Sequence, residues 1–307
     1  MQGRHILTSK QFRDRNLLQT IFGTAADFEI KDEIRNLPGT LENKVVATLF
    51  FEPSTRTRLS FETAVLKLGG HLISTENGSF TSSAVKGESL EDTIKVVGGF
   101  ADAIILRHPD MGSSALAASV SKVPIINAGD GSGEHPTQAL YDLYTINKEI
   151  GTLDNLKVAV IGDLLYGRAV HSLLPLLSLY KTEIYLISPP SLKLPFQVKN
   201  ELKGNGIKFQ EMEKLDVSDL DVLYVTRVQK ERFENTDDYL AVKDLLTIGL
   251  KDLSKLKEKA VILHPLPRVG EIIPEVDNDS RAAYFRQAKN GLYVRMALLH
   301  HLFASEA

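Results

Sequence analysis

Short apolar segments rich in β-branched residues alternate along this chain with segments of helical periodicity. Each apolar segment is bounded by polar turns, which is typical of a strand. Strands that alternate with helices predict parallel sheets, because a parallel pair needs a crossover connection that a helix usually supplies. We therefore predict an α/β fold of parallel β-sheets flanked by helices. The predicted strands are 44–51, 103–106, 123–128, 157–161, 183–187, 221–225 and 260–263.

The length of the chain predicts two domains. Its 307 residues are more than one hydrophobic core usually serves. A helical segment, 136–150, follows the third predicted strand, and Gly151-Thr152-Leu153-Asp154 then offers a turn. We place the domain boundary there. Near the end of the chain, 281–303 reads as two helical stretches parted by Asn290-Gly291.

Composition narrows the class of protein. The 36 basic and 39 acidic residues leave a net charge of −3, which argues against a surface that coats nucleic acid. There is no cysteine, so the chain has no disulfide, thiolate metal site or cysteine nucleophile. No segment resembles a signal peptide or approaches the ~18 apolar residues of a membrane span. We expect a cytoplasmic protein that binds neither nucleic acid nor membrane.

The first strand is followed by a turn suited to binding an anion. The turn reads Glu52-Pro53-Ser54-Thr55-Arg56-Thr57-Arg58 and leads directly into a helix that Gly69-Gly70 ends. A helix N-terminus offers unpaired N–H groups and a partial positive charge. Taken singly, Ser54 is more simply a helix cap. Taken together, the four consecutive hydroxyl or guanidinium side chains of Ser54, Thr55, Arg56 and Thr57 favour a phosphate site instead.

Three of the eight histidines precede proline, at His108, His135 and His264. Proline disfavours the helical conformation in the residue before it, so each pair marks an exit from a strand or from the loop after it. A single histidine at such a place is more often structural than catalytic. Three at the carboxyl ends of strands, where open α/β sheets bind ligands, favour a functional site.

The chain also carries a set of longer motifs in a fixed order. Together they resemble the catalytic chain of aspartate transcarbamoylases. The first two are shared with ornithine transcarbamoylases, and the last two point to the aspartate branch. Leu165 departs from the pattern, since a lysine or another polar residue is often seen there. The motifs are Ser54-Thr55-Arg56-Thr57-Arg58, His135-Pro136-Thr137-Gln138, Gly162-Asp163-Leu164-Leu165-Tyr166-Gly167-Arg168, Thr226-Arg227-Val228-Gln229-Lys230-Glu231-Arg232 and His264-Pro265-Leu266-Pro267-Arg268.

The resemblance implies two domains: a carbamoyl-phosphate-binding domain, 1–149, and an aspartate-binding domain, 150–286. It also implies that a C-terminal helix, 287–307, returns to the first domain. It implies that Thr57, Arg107 and His135 act on the carbamoyl oxygen, where negative charge grows in the reaction. It also implies a cis peptide bond between Leu266 and Pro267. The implied carbamoyl phosphate ligands are Ser54, Thr55, Arg56, Thr57, Arg107, His135, Gln138, Leu266 and Pro267.

The second substrate implied is L-aspartate, with Lys86, Arg168, Arg227 and Gln229 as its ligands. Ser82 and Lys86 would reach the site from a neighbouring subunit, so the implied assembly is a homotrimer. Glu52 and Glu231 are placed to pair with the substrate-binding arginines. The resemblance implies no cofactor and no metal, and it leaves open whether separate regulatory chains bind.

Three other interpretations compete with this one. Gly162 and Gly167 have P-loop spacing, but Arg168 and Ala169 stand where a P-loop has lysine and Ser/Thr. A transcarbamoylase for another amino acid, such as ornithine, remains the second candidate. A non-catalytic relative is disfavoured because loss of catalysis usually loosens a set of site residues, and this set is complete. Its members are Arg56, Lys86, Arg107, His135, Arg168 and Arg227.

Overall fold

The structure is a computed structural model that describes residues 5–76, 87–243 and 245–304. It divides into two compact units. Unit 1 comprises Met1–Leu140 and Asn290–Ala307, and unit 2 comprises Tyr141–Lys289. No helix within the described ranges is both long enough and apolar enough to cross a membrane.

Unit 1 is built on a four-stranded parallel sheet in the order β2-β1-β3-β4. Its strands are β1 (Val45–Phe50), β2 (His71–Glu76), β3 (Ala103–His108) and β4 (Ile125–Asp130). Its helices are α1 (Arg15–Glu33), α2 (Thr55–Lys67), α3 (Leu90–Val97) and α4 (Ser113–Val120), with the start of α5 (Pro136–Ile150) and most of α9 (Tyr284–Ala304).

Unit 2 is built on a five-stranded parallel sheet in the order β7-β6-β5-β8-β9. Its strands are β5 (Leu156–Ile161), β6 (Thr182–Ile187), β7 (Lys208–Met212), β8 (Leu220–Val225) and β9 (Leu256–Leu263). Its helices are α6 (Arg168–Leu177), α7 (Phe196–Gly204) and α8 (Thr236–Val242), with the rest of α5 and the first residues of α9. The predicted fold class is confirmed.

Two strands, β2 and β7, were not predicted. Each lies at one edge of its sheet. Central strands are buried on both faces and read as continuous apolar runs, as in β3. β7 is polar and largely exposed, and an edge strand that meets water needs no apolar run, whereas β4, at the opposite edge of the unit 1 sheet, is buried and was predicted. The sequence of β7 therefore lacks the apolar run by which the other strands were found.

The C-terminal helix is continuous, so the predicted break at Asn290-Gly291 is wrong. Both residues are buried inside α9. Glycine in a helix costs about 1 kcal/mol, which the packing of a long buried face offsets. Within unit 1, α9 packs against α1: the Tyr293 hydroxyl donates to Asp32 at 3.1 Å. The expected return of this helix to the first domain is confirmed.

Candidate active site

In each unit the parallel strands bring several turns to one edge of the sheet. In unit 1, β1, β3 and β4 are neighbours and end at Phe50, His108 and Asp130. The predicted residues of the first domain follow or end these strands. Their convergence is a consequence of parallel pairing, since all carboxyl ends point the same way.

The turn after β1 presents the N-terminus of α2. Ser54 is the N-cap residue, but its side chain makes no capping hydrogen bond. The first amides of a helix have no partner within it, and the first turn of α2 contains no acidic residue. Thr57 is buried and Arg56 is exposed. This end of α2 therefore combines amides, hydroxyls and a guanidinium in the manner of an anion site.

Arg107 is held rigidly near the end of β3. It is only 7% exposed. Its Nη2 lies 2.9 Å from Glu52 Oε2, and its Nη1 donates to the carbonyl oxygen of Ala128 at 3.2 Å. The guanidinium is thus fixed between the turn after β1 and strand β4. Glu52 takes the pairing role that the sequence indicated for it.

His135 and Gln138 lie at the start of α5 and are buried. The His135 carbonyl accepts from the Gln138 amide at 3.0 Å, which fixes the first turn of the helix. The loop before it is anchored by Asp130, which accepts from the amides of Glu134 at 2.9 Å and Gly112 at 3.1 Å. His135 and Gln138 therefore lie at the same edge of the unit 1 sheet as Arg107.

One buried residue beneath this edge was not found from the sequence. Arg295 of α9 is 3% exposed and stacks 4.7 Å over the Phe61 ring. Its guanidinium donates to Ser60 of α2 and, at 3.4 Å, to Thr137 of α5. It ties together the two helices that begin at the site. The available signal was a charge within the buried run 293–299 of α9.

In unit 2 the turn after β5 is organised around a buried carboxylate. Asp163 accepts from the amides of Leu165 at 3.1 Å and Tyr166 at 2.9 Å, and more weakly from Gln229 at 3.4 Å. Burial raises the pKa of Asp163, while these hydrogen bonds and Arg227 oppose that shift. The Gln229 side chain donates to the Tyr166 carbonyl at 2.9 Å. The turn after β5 and the turn after β8 are thereby joined.

The same carboxylate argues against the P-loop interpretation. A P-loop aims its backbone amides at a phosphate. Here the amides of Leu165 and Tyr166 are occupied by Asp163, a group of the same charge sign as phosphate.

The arginines of unit 2 stand at these two turns. Arg168 begins α6 and is half-buried. Arg227 follows β8 and forms a two-pronged ion pair with Glu231, with one contact of 3.0 Å. This hydrogen bonding raises the pKa of Arg227 and lowers the pKa of Glu231. Glu231 thus holds the guanidinium in one orientation, as the sequence indicated.

Leu266 and Pro267 follow β9, the neighbour of β8, so they share this edge of the unit 2 sheet. The peptide bond between them is cis, as expected. Ser82 and Lys86 lie outside the described residues. The predicted site residues therefore form one group at a sheet edge of unit 1 and a second group at a sheet edge of unit 2.

Comparison with known families identifies both halves of the chain. Residues 4–148 match the carbamoyl-P binding domain of aspartate/ornithine carbamoyltransferases, and residues 154–302 match the Asp/Orn binding domain of the same proteins. The chain belongs to the aspartate/ornithine carbamoyltransferase family. The resemblance found in the motifs is thereby confirmed over nearly the whole chain.

Within the aspartate/ornithine carbamoyltransferase family, similar proteins are named for aspartate. The aspartate carbamoyltransferase catalytic subunit of Methanothrix thermoacetophila is 50% identical over 97% of this chain and 98% of that protein. The multifunctional protein pyr1-3 of Dictyostelium discoideum is 48% identical over 99% of this chain, which spans 14% of that longer protein. Aspartate transcarbamoylase from Trypanosoma cruzi in complex with carbamoyl phosphate and aspartate superposes with a TM-score of 0.90, at 38% identity over 97% of this chain and 96% of that one.

Proposed function

We propose that this chain transfers the carbamoyl group of carbamoyl phosphate to the amino group of L-aspartate, giving N-carbamoyl-L-aspartate and phosphate. The observation that carries the proposal is the unit 1 site, where Arg107 and His135 lie buried at the same sheet edge as the N-terminus of α2. The solved relative with both substrates bound supports the same reaction.

The phosphate is bound by the start of α2 in this proposal. Ser54, Thr55, Arg56 and Thr57 supply amides, hydroxyls and a guanidinium, and Arg107 adds a second guanidinium. Charge-assisted hydrogen bonds of this kind are about twice as strong as neutral ones. Because the phosphate leaves with additional negative charge, the same groups stabilise it as product.

The carbamoyl group is activated by Thr57, Arg107 and His135. The aspartate nitrogen attacks the carbamoyl carbon, and the carbamoyl oxygen takes up negative charge. The bond from that carbon to the phosphate oxygen then breaks, and the departing phosphate takes up the proton that the amine loses. Donors aimed at the oxygen stabilise the transition state more than the bound substrate. Gln138 and the carbonyls of Leu266 and Pro267 orient the carbamoyl NH₂, and no covalent enzyme intermediate is required.

The amino-acid substrate is selected by charge. L-aspartate carries two carboxylates, and Arg168, Arg227 and Gln229 offer two guanidiniums and an amide to bind them. The side chain of ornithine ends in a cation, which Arg168 and Arg227 would repel. This difference favours the aspartate reaction over the ornithine alternative.

The assembly and setting are part of the same proposal. We place the reaction in pyrimidine biosynthesis in the cytoplasm. A homotrimer would let Ser82 and Lys86 complete a neighbouring site, and Lys86 would then bind aspartate. Residues 1–149 with 287–307 would handle carbamoyl phosphate, and 150–286 would handle aspartate. The relative named a catalytic subunit makes regulatory chains a further candidate partner.

The test is product analysis with a choice of acceptor. The purified chain is incubated with carbamoyl phosphate and either L-aspartate or L-ornithine, and the products are identified by mass spectrometry. We expect N-carbamoyl-L-aspartate and an equal amount of phosphate. Citrulline as the dominant product, or phosphate release independent of any amino acid, would refute the proposal.

A further inference from the structure

His264 is a buried histidine that the proposed chemistry does not use. It directly follows β9 and is 1% exposed, so its ring does not reach a bound substrate. Its Nδ1 accepts from the Leu266 amide at 2.8 Å, and its Nε2 lies 2.7 Å from Glu271 Oε1. An amide N–H can only donate, so Nδ1 must carry the lone pair and Nε2 the proton.

Glu271 binds the loop that follows His264 at a second point. Its second carboxylate oxygen accepts from the Val269 amide at 2.9 Å. Through this carboxylate and the His264 ring, the backbone is held at both Leu266 and Val269, on either side of Pro267. Burial lowers the pKa of His264 against the opposing influence of Glu271, which favours the neutral ring that this arrangement needs.

The base of the loop is fixed by a buried network in unit 2. The His264 amide donates to Gln287 at 2.9 Å, and Gln287 donates to Asp142 at 2.6 Å. Asp142 also accepts from the Tyr224 hydroxyl at 2.7 Å. The histidine ring is therefore attached to a rigid support, and it can impose an orientation on the residues that follow it.

Leu266 needs such support because its backbone is in an unfavourable conformation. Its φ is +56°, in the left-handed region that a branched side chain rarely occupies. The surrounding contacts must hold a residue in that region. The His264 ring contacts Leu266 at its backbone amide. The nitrogen of that amide is one end of the bond about which φ is measured, so the hydrogen bond acts directly on this conformation.

We propose that His264 and Glu271 are positioning residues that aim the carbonyl oxygens of Leu266 and Pro267 at the carbamoyl NH₂. The role rests on the proposed function, in which those carbonyls orient the reacting carbon. His264 sets the direction of the Leu266 backbone, and Glu271 sets the tautomer and orientation of the His264 ring. Such pairs are the means by which a ligand-contacting group is held within a fraction of an ångström.

Three substitutions separate the two hydrogen bonds of the ring. In His264→Asn the side-chain oxygen can accept from the amide two residues on, as in an Asx turn, while the contact to Glu271 is lost. In His264→Gln the amide nitrogen can reach Glu271, while the contact to Leu266 is lost. His264→Ala loses both. Thermal unfolding of each variant reports whether the chain is folded at the assay temperature.

We expect His264→Ala and His264→Gln to lower kcat about 10²-fold, the scale of a misplacement near 1 Å, with the KM for L-aspartate within about threefold of wild type. His264→Asn should recover most of the lost turnover. A merely structural role would make activity follow the unfolding temperature instead. Full turnover of the alanine variant, or an asparagine variant that is folded but as slow as alanine, would overturn this role alone. A wild-type chain that makes no N-carbamoyl-L-aspartate would overturn the proposed function and this role with it.

Discussion

His135 is the residue whose removal tests the carbamoyl chemistry most simply. It is buried at the start of α5, at the sheet edge that carries Arg107. We expect His135→Ala to lower kcat by about 10²–10³-fold, because its donor acts on charge that develops only in the transition state. His71→Ala, at an exposed histidine on β2 of the same unit, is the control and should leave kcat unchanged. A variant with normal turnover and only a raised KM would refute the role.

Substitution of Asp163 tests the proposed aspartate site. Its carboxylate oxygens accept from the amides of Tyr166, in the turn after β5, and of Gln229. Alanine has no side-chain acceptor, so Asp163→Ala removes both hydrogen bonds. We expect Asp163→Ala to raise the KM for L-aspartate about 10–100-fold, while carbamoyl phosphate still binds with wild-type affinity in calorimetry. Asp238→Ala, at an exposed acid in α8, serves as the control. Equal loss of both substrates would indicate unfolding of the whole chain rather than this role.

From the sequence we could propose residues that touch the ligands, but not most of the residues that hold those side chains in place. Arg56, Arg107 and His135 stand in recognisable local motifs. Asp163 and Arg295 act on partners 66 and 235 residues away along the chain, at Gln229 and Ser60. Pairs of that kind exist only once the sheets and helices are assembled. That Arg56, Arg107 and His135 touch the ligands stays a prediction.

At the scale of elements, the turn from β5 to α6 depends on one glycine. Gly162 has a φ of +122°, and a Cβ there would lie 2.0 Å from the Thr226 carbonyl oxygen. Gly162→Ala should therefore separate the two turns that Asp163 joins. We expect a loss of roughly 2–4 kcal/mol in the free energy of unfolding and a raised KM for L-aspartate.

Gly206 offers a matched control for this prediction. It also has a positive φ, of +74°, but a Cβ there would meet nothing within 4 Å. Gly206→Ala should cost only about 1 kcal/mol, from the backbone conformation alone. Denaturant unfolding of both variants measures the difference. Equal losses would show that the close approach to Thr226 does not matter.

The strands that the sequence predicted are buried, whether they lie inside a sheet or, like β4, at its edge. Strands such as β3 and β8 are buried almost throughout, so their apolar runs are unmistakable. The edge strands β2 and β7 face water and gave no comparable pattern. The predicted helix break at Asn290-Gly291 is wrong because packing of α9 overrides the low helix propensity of these two residues.

At the largest scale, the fold class and the family were predicted from the sequence and are confirmed, and the reaction stays a proposal. The homotrimer stays a prediction, and it can be tested by complementation. Inactive Lys86→Ala chains are mixed with inactive Arg56→Ala chains under conditions that exchange subunits. In a head-to-tail ring about a quarter of the sites would join an intact Arg56 to an intact Lys86 from the neighbour. We expect about that fraction of wild-type activity.

The control for complementation is each variant taken alone through the same exchange, which should stay inactive. Mass measurement of tagged chains verifies that mixed assemblies have formed. Mixed trimers as inactive as either parent would show that Lys86 serves its own chain.

In the proposed division of roles, the unit 1 site binds carbamoyl phosphate and the unit 2 site binds aspartate. Calorimetric titration of carbamoyl phosphate into wild type, Arg56→Ala and Arg227→Ala distinguishes the two sites. We expect Arg56→Ala to weaken binding about 10–100-fold, as loss of a charge-assisted contact implies, while Arg227→Ala binds as wild type does. Equal weakening in the two variants, or none in Arg56→Ala, would contradict this division of roles.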